Sequence, residues 1–116
     1  HLQTGNTREI KLFRCIQGKV LDVIIDLRKD SPTYEQYFSI ELSAENGKML
    51  YIPKGFAHGF LTLEDSTRVM YMVSEFYSKN DVEVVRWNDP YFNISWPVSN
   101  PILSEIDASY PDYKSK

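Results

Sequence analysis

Short segments whose side chains alternate between two faces dominate the chain up to residue 77. β-Branched and aromatic residues recur at every second position, a pattern typical of strands. Residues that favour turns, such as Gly, Pro, Asn and Asp, separate the segments. The pattern predicts strands over 20–28, 36–42, 48–52, 59–64 and 68–77. Five or more strands at this spacing, with almost no helical periodicity before residue 78, predict an all-β antiparallel sandwich or barrel.

Length and composition predict one domain. The chain has 116 residues, of which 42% are hydrophobic, enough to close one core and hardly two, so we expect a single domain over 1–116. Residues 78–116 hold four of the six prolines and predict an irregular, partly helical C-terminal wrap, with a short helix near 104–109. The chain begins with neither a methionine nor a signal-like segment, so we expect a fragment of a longer chain.

Charge and cysteine content argue against several classes of partner. The net charge of -3 does not suit a nucleic-acid or membrane surface, which would need a basic patch. The single cysteine, Cys15, cannot form an internal disulfide, and no apolar run approaches the roughly 20 residues that span a bilayer. We therefore expect a cytoplasmic protein with a small-molecule or protein partner.

One of the two histidines, His58, lies inside a predicted strand, in YIPKGFAHGF (51–60). Alternation places His58 and Phe60 on one face, and we expect that face to line an interior. A core histidine bonded to a buried polar group is the alternative. The stretch GKMLYIPKGFAHGFLT (47–62) is similar to the second motif of cupin barrels, G-x5-P-x-G-x2-H-x3-N. The resemblance implies a cupin-type jelly-roll barrel or sandwich with His58 at its mouth, where ligands bind.

The histidine count limits any metal site. Many cupins bind a metal through an H-x-H pair and the motif histidine, but this chain has no H-x-H and only two histidines. A three-histidine site therefore cannot form within one subunit, although a carboxylate-rich site stays open. We expect no metal and no other cofactor, and a role for His58 as an acid, a base or a hydrogen-bond donor.

A series of motifs in a fixed order extends the resemblance from residue 1 to about residue 108. His1-x-Gln3 and Lys11 are followed by FRCIQGKVLDVIIDLRKDSPTY, LSAENGKMLYIPKGFAHGF, VMYMVSEFYS, VRWNDP, ISWP and PILSEID. In this order the series resembles the dTDP-4-dehydrorhamnose 3,5-epimerase family. The resemblance implies an isomerase that inverts carbons next to the keto group of a dTDP-4-keto-6-deoxy sugar nucleotide, in dTDP-L-rhamnose or related deoxysugar biosynthesis. It also implies a homodimer.

Inversion of a carbon next to a ketone requires three kinds of group. A base removes the α-proton from one face, donors hold the enolate, and an acid returns a proton to the opposite face. By resemblance, His1 is the base and pairs with Asp107, which fixes the imidazole tautomer. Tyr71 is the acid. Lys11 and His58 stabilise the enolate.

The resemblance extends to substrate binding. Gln3, Arg14 and Tyr77 match positions that line the family's site, so we expect them to bind substrate. The glutamate of a further family motif falls on Val82, and Glu83 stands one place along. In a strand that shift turns the carboxylate to the other face.

Two other functions remain open. A mono-epimerase, or a keto-isomerase of another 4-keto sugar nucleotide, would use the same base and acid. A cupin that binds sugar nucleotides without catalysis is the non-enzymatic alternative. Proton exchange at the sugar carbons separates all three.

Overall fold

The computed structural model describes residues 1–115 and is built mainly of antiparallel strands. The strands are β1 (Leu2–Gln3), β2 (Lys11–Gln17), β3 (Lys19–Asp26), β4 (Tyr37–Ser43), β5 (Met49–Ile52), β6 (Phe56–Thr62), β7 (Arg68–Val73) and β8 (Val82–Glu83). A short helix, α1 (Glu105–Ser109), and 3-10 turns at Gly5–Thr7, Lys79–Asp81 and Tyr113–Ser115 complete the regular structure. Within residues 1–115, none of the helices has the length and apolar character needed to cross a bilayer.

Two three-stranded sheets, β5-β2-β7 and β4-β3-β6, pack face to face, and β1 pairs with β8 beside them. Side chains from both sheets meet in one buried core: Phe13, Cys15, Val20, Ile24, Leu42 and Ile52. The prediction of an all-β antiparallel sandwich is confirmed.

The central strand β3 is buried on both faces, which explains its nearly continuous apolar sequence. Val20 and Ile24 face the core between the sheets. Ile25 packs on the other side in a second cluster that contains Leu2 and Phe92. Because Phe92 belongs to the C-terminal segment, the predicted irregular wrap covers the outer face of the β4-β3-β6 sheet.

Several predicted boundaries are wrong. The strand predicted over 68–77 ends at Val73, because the amide of Gln3 binds the main chain at Phe76 and Ser78 and draws that segment out of the sheet. The strand predicted over 59–64 is β6, which begins three residues earlier. The structure also contains β2, which precedes the five segments bounded by alternation. The predicted helix near 104–109 is present as α1, with Ser104 as its N-cap.

The turn before β6 depends on Gly55. Its φ of +87° suits glycine, and a Cβ there would lie 2.6 Å from Cγ of Arg28. The Arg28 guanidinium donates from Nε and Nη2 to the buried carboxylate of Asp26, at 2.9 Å each. Ser31 and Thr33 donate their hydroxyls to the same carboxylate. The hydrogen bonds from Arg28, followed by those from Ser31 and Thr33, hold the pKa of Asp26 well below its usual value despite its burial.

Candidate active site

A cavity of about 640 Å³ lies at one end of the two three-stranded sheets, partly under the C-terminal wrap. Seven of the eight side chains predicted to form a site line it: His1, Gln3, Lys11, His58, Tyr71, Tyr77 and Asp107. They come from strands, from α1 and from the segments at His1 and Tyr77, so the fold brings together residues that are up to 106 positions apart.

The two histidines of the sequence lie side by side on the cavity wall. The His1 nitrogen donates to the His58 carbonyl oxygen at 3.0 Å, and the His58 nitrogen donates to the His1 oxygen at 3.0 Å. Residues opposed in this way across antiparallel strands project their side chains to the same side. The main chain thus fixes the spacing of the two imidazoles.

His1 contacts Asp107 through its ring. The distance from Nε2 of His1 to Oδ1 of Asp107 is 3.1 Å, and both side chains are about half exposed, at 52% and 44%. Asp107 lies in the first turn of α1, where its main-chain nitrogen donates to the Ser104 hydroxyl. The side chains predicted to pair are therefore within hydrogen-bond distance at the cavity wall.

Arg86, for which no motif of the sequence predicts a role, holds the chain that follows α1. Its Nη1 donates to the Tyr110 carbonyl oxygen at 2.7 Å, and its Nη2 donates to the Asp112 carboxylate. Tyr110 also packs edge-on against the His1 ring, with centroids 6.2 Å apart. Arg86 therefore fixes the segment that carries Asp107.

His58 bonds a buried acid, Asp22, that was not among the residues predicted from the sequence. Its Nε2 lies 2.5 Å from Oδ1 of Asp22, and both side chains are almost completely withdrawn from solvent. Asp22 lies in β3 and shares a face with Val20 and Ile24, which belong to the core. The sequence did carry a signal for this contact: Asp22 is an acid at an inward position of VLDVIID. Buried acids usually have a partner, so this position predicts one.

An aromatic wall connects His58 with Tyr71. Phe13 lies between them, edge-on to the His58 ring at 4.7 Å and stacked on the Tyr71 ring at 5.7 Å. Phe13 and Tyr71 are opposed in the β2–β7 pairing. Tyr71 itself is 55% exposed and borders the open side of the cavity.

The two predicted binding residues that line the cavity differ in setting. The Gln3 side chain is buried, and its Nε2 donates to the carbonyl oxygens of Thr7 and Phe76 while its Oε1 accepts from Ser78 N. Its amide thus holds the segment that carries Tyr77. The Tyr77 ring is exposed beside the cavity.

Lys11, the first residue of β2, lies beside a carboxylate inside the cavity. Its Nζ is 3.5 Å from Oε1 of Glu9, and both side chains are 13% exposed. Glu9 was not identified as a site residue from the sequence. Its position two residues before Lys11, on the same face of an extended chain, was the signal available.

The third predicted binding residue, Arg14, does not line the cavity. Lys11 and Phe13 point inward from β2, so Arg14 lies on the opposite face of the strand.

The one-residue shift at Val82 and Glu83 was predicted to turn the glutamate side chain to the other face of the strand, and the structure agrees. Val82 lines the cavity, whereas Glu83 is exposed and directed elsewhere.

The cavity therefore combines an imidazole–carboxylate pair, a phenol, an ammonium group and a second imidazole. These groups can accept and donate protons and can stabilise an oxyanion, which is the chemistry needed next to a carbonyl group. Among residues 1–115, no three His, Cys, Asp or Glu side chains converge as a metal ion would require.

Comparison with known proteins identifies the family. The family model described as dTDP-4-dehydrorhamnose 3,5-epimerase matches residues 1–115. The chain belongs to the dTDP-4-dehydrorhamnose 3,5-epimerase family. The 3,5-epimerase of Shigella flexneri is 46% identical over 109 residues, which cover 94% of this chain and 60% of that protein. The chain thus spans about three fifths of the length of that relative.

Solved structures of 3,5-epimerases have the same fold. The enzyme from Elizabethkingia anophelis superposes with a TM-score of 0.95 at 40% identity, covering 99% of this chain and 64% of that one. The enzyme from Bacillus anthracis, solved with TDP and PPi bound, gives a TM-score of 0.93 at 49% identity, covering 96% and 63%. The predicted cupin-type fold is confirmed by these matches.

Proposed function

We propose that the chain carries the active site of a dTDP-4-dehydrorhamnose 3,5-epimerase and acts as a single domain. The proposal rests on one observation: the His1–Asp107 pair shares a cavity with Tyr71, Lys11 and His58. Membership of the family supports the substrate, a dTDP-4-keto-6-deoxy sugar nucleotide.

His1 acts as the base in this proposal. Asp107 accepts a hydrogen bond from Nε2–H, which leaves the other ring nitrogen with a lone pair to remove the proton next to the ketone. The electron pair of the broken C–H bond forms a double bond to the carbonyl carbon of the sugar, and the carbonyl π electrons move onto its oxygen to give an enolate. Asp107 then stabilises the imidazolium that forms.

Tyr71 returns a proton from the other side. His1 is bonded to β6 of one sheet, whereas Tyr71 belongs to β7 of the facing sheet, so the two groups approach a bound sugar from different walls. Donation of the phenolic proton to the carbon inverts its configuration, and proton exchange with solvent restores both residues.

Lys11 and His58 stabilise the enolate oxygen. Both side chains line the same cavity as His1 and Tyr71. In this role His58 carries a proton on both ring nitrogens and donates one N–H to Asp22 and the other to the enolate oxygen. The Lys11 ammonium and the His58 imidazolium contribute more at a developing oxyanion in a partly closed cavity than in water. The reaction moves only protons, so the proposal includes no metal and no redox cofactor.

The experiment that tests the activity is proton exchange. The protein is incubated in deuterated water with dTDP-4-keto-6-deoxyglucose, and the C3 and C5 proton signals are followed by NMR. Loss of both signals with formation of the inverted sugar is the expected result. The control is dTDP-glucose, which has no ketone and should exchange neither proton.

Other outcomes identify the alternatives. Exchange at a single carbon would assign a mono-epimerase and contradict the proposal. If a folded protein binds the sugar nucleotide but exchanges no proton, the non-catalytic binding function is correct.

We also propose that the protein is a homodimer, with an apolar outer face as the interface. This outer face is the surface of the β5-β2-β7 sheet directed away from the core. Its side chains include Met49, Tyr51, Met70 and Met72, all about half exposed. The exposed face of an antiparallel sheet is commonly polar, so this surface suits a second copy of the same chain.

Arg14 lies on the outer face between Met49 and Met70, its partners in the register. We assign it to the interface and not to the substrate. Analytical ultracentrifugation should show a dimer for the unmodified protein and a monomer for Met72→Asp. Ser39→Asp, on the exposed side of β4, is the matched control and should remain dimeric. An unmodified protein that sediments as a monomer would contradict the assignment.

A further inference from the structure

Glu9 and Lys11 form an ion pair that is partly withdrawn from solvent inside the cavity. Their charged atoms are 3.5 Å apart, and each side chain is 13% exposed. Glu9, Lys11 and Phe13 occupy alternate positions of one extended segment and all line the cavity. They therefore share its inward face.

In the other lysine–carboxylate pairs of the described residues the lysine is more exposed. Lys114, 2.9 Å from Glu35, is 54% exposed, although Glu35 is only 14% exposed. Lys19 lies 4.0 Å from Glu41, and these side chains are 39% and 53% exposed. Water competes strongly for such a pair, so the carboxylate restrains the ammonium little. Around Lys11 there is much less water, and Glu9 is the carboxylate that pairs with it.

The backbone at Glu9 is held in place by the neighbouring strand. Beyond the last β2–β7 rung, Lys11 with Val73, the Ser74 nitrogen donates to the Ile10 carbonyl oxygen at 3.0 Å. The Ile10 nitrogen in turn donates to the Ser74 hydroxyl at 2.8 Å. Glu9 is thus the neighbour in sequence of a residue, Ile10, whose main chain is held by Ser74. This limits the positions that the Glu9 carboxylate can reach.

We propose that Glu9 is a positioning residue that holds the Lys11 ammonium where the substrate's keto oxygen will lie, an inference that rests on the proposed epimerase function. A lysine has four rotatable side-chain bonds, and an untethered ammonium spends much of its time away from one point. A carboxylate two residues away orients the ammonium before the substrate arrives. The enolate then meets a donor that needs no rearrangement.

Steady-state kinetics of Glu9→Gln test this role. We expect kcat to fall by about 10- to 100-fold while KM changes by less than about 3-fold, because the interaction with the ammonium matters when the enolate forms. Glu9→Asp, which keeps the charge, should recover part of the loss. Glu41→Gln removes a lysine-paired carboxylate outside the cavity and should leave both constants unchanged.

A double-mutant cycle separates positioning from a general structural effect. In a Lys11→Met background, Glu9→Gln should change kcat by less than about 2-fold, because the group it positions is gone. If Glu9→Gln costs the same factor with and without Lys11, or costs nothing in the unmodified chain, the proposal is wrong.

A measurement without substrate distinguishes this inference from the proposed activity. NMR relaxation of the lysine Cε methylene groups should show restricted motion at Lys11, increased motion in Glu9→Gln and no change at Lys11 in Glu41→Gln. If the protein exchanges no substrate protons, the activity proposal fails while this measurement still decides the role of Glu9. Unchanged motion of Lys11 in Glu9→Gln would overturn the positioning role.

Discussion

His1 and His58 exchange two main-chain hydrogen bonds of 3.0 Å, which place their imidazoles on one side of a paired strand. Each imidazole contacts its own carboxylate. The Asp107 partner of His1 is about half exposed, whereas the Asp22 partner of His58 is completely buried. Exposed ion pairs contribute little to folding, and buried ones are costly to break. The two carboxylates should therefore respond differently to the same substitution.

Asp107→Asn should reduce activity and leave stability unchanged. The asparagine can donate its amide N–H to His1 Nε2 and thereby favour the wrong imidazole tautomer, so we expect kcat for C3 and C5 exchange to fall by about 10²- to 10⁴-fold. The midpoint of urea unfolding should not move, because the pair is half exposed. Glu105→Gln, an exposed change in the same helix, is the control. Full activity of Asp107→Asn would exclude the pair as the base.

Asp22→Asn, unlike Asp107→Asn, should reduce stability. The new amide keeps one oxygen acceptor for His58 but buries an N–H group without a partner, so unfolding should become easier by about 1 to 3 kcal/mol. Urea denaturation measures this change, with Asp30→Asn in an exposed loop as the control. A variant as stable as the unmodified protein would mean that the contact between Asp22 and His58 does not stabilise the fold.

Much of the fold could be predicted from alternation, because a strand with one buried face has period two. The end of β7 could not be predicted in this way, because a distant side chain is involved. The segment after Val73 continues the apolar pattern, but Gln3 takes the main-chain hydrogen bonds at Phe76 and Ser78. Gln3 is 73 positions from Phe76 and 75 positions from Ser78 in the sequence. Local sequence therefore carries no signal for these hydrogen bonds.

The candidate site could be predicted mainly through resemblance to the family. Odd and even spacings along the strand would have improved the choice of site residues. Arg14 is three residues from Lys11 in β2, an odd spacing that directs the two side chains to opposite faces. Glu9 is two residues from Lys11, an even spacing that brings both to the cavity. The contact of His58 with Asp22 required the β3–β6 register, which places His58 opposite Ile24. No pattern within either strand specifies that register.

Tyr71→Phe should separate proton exchange from inversion. Without the phenol, His1 can still remove the proton and return a deuteron to the same face, so exchange in deuterated water should persist. Formation of the inverted sugar should fall by about 10²-fold or more, because the acid on the opposite wall is lost. NMR resolves both products in one experiment. Tyr91→Phe, which removes a hydroxyl bonded to Glu35 away from the cavity, is the control. Equal loss of exchange and inversion would mean that Tyr71 does not act as the acid.

Asp26→Asn should make the free energy of unfolding less dependent on pH. The hydrogen bonds from Arg28, Ser31 and Thr33 lower the pKa of Asp26 from its ordinary value of 3.8. A lowered pKa in the folded state stabilises the fold at pH values above 3.8, and this stabilisation is lost as the pH falls through the folded-state pKa. The substitution should cost about 1 to 3 kcal/mol near neutral pH, since it replaces a buried carboxylate that Arg28, Ser31 and Thr33 hydrogen-bond. Urea unfolding at several pH values should show the difference between the two proteins narrowing progressively below about pH 4. A difference that stays constant down to about pH 2 would show that the charge of Asp26 is not the source of the stabilisation.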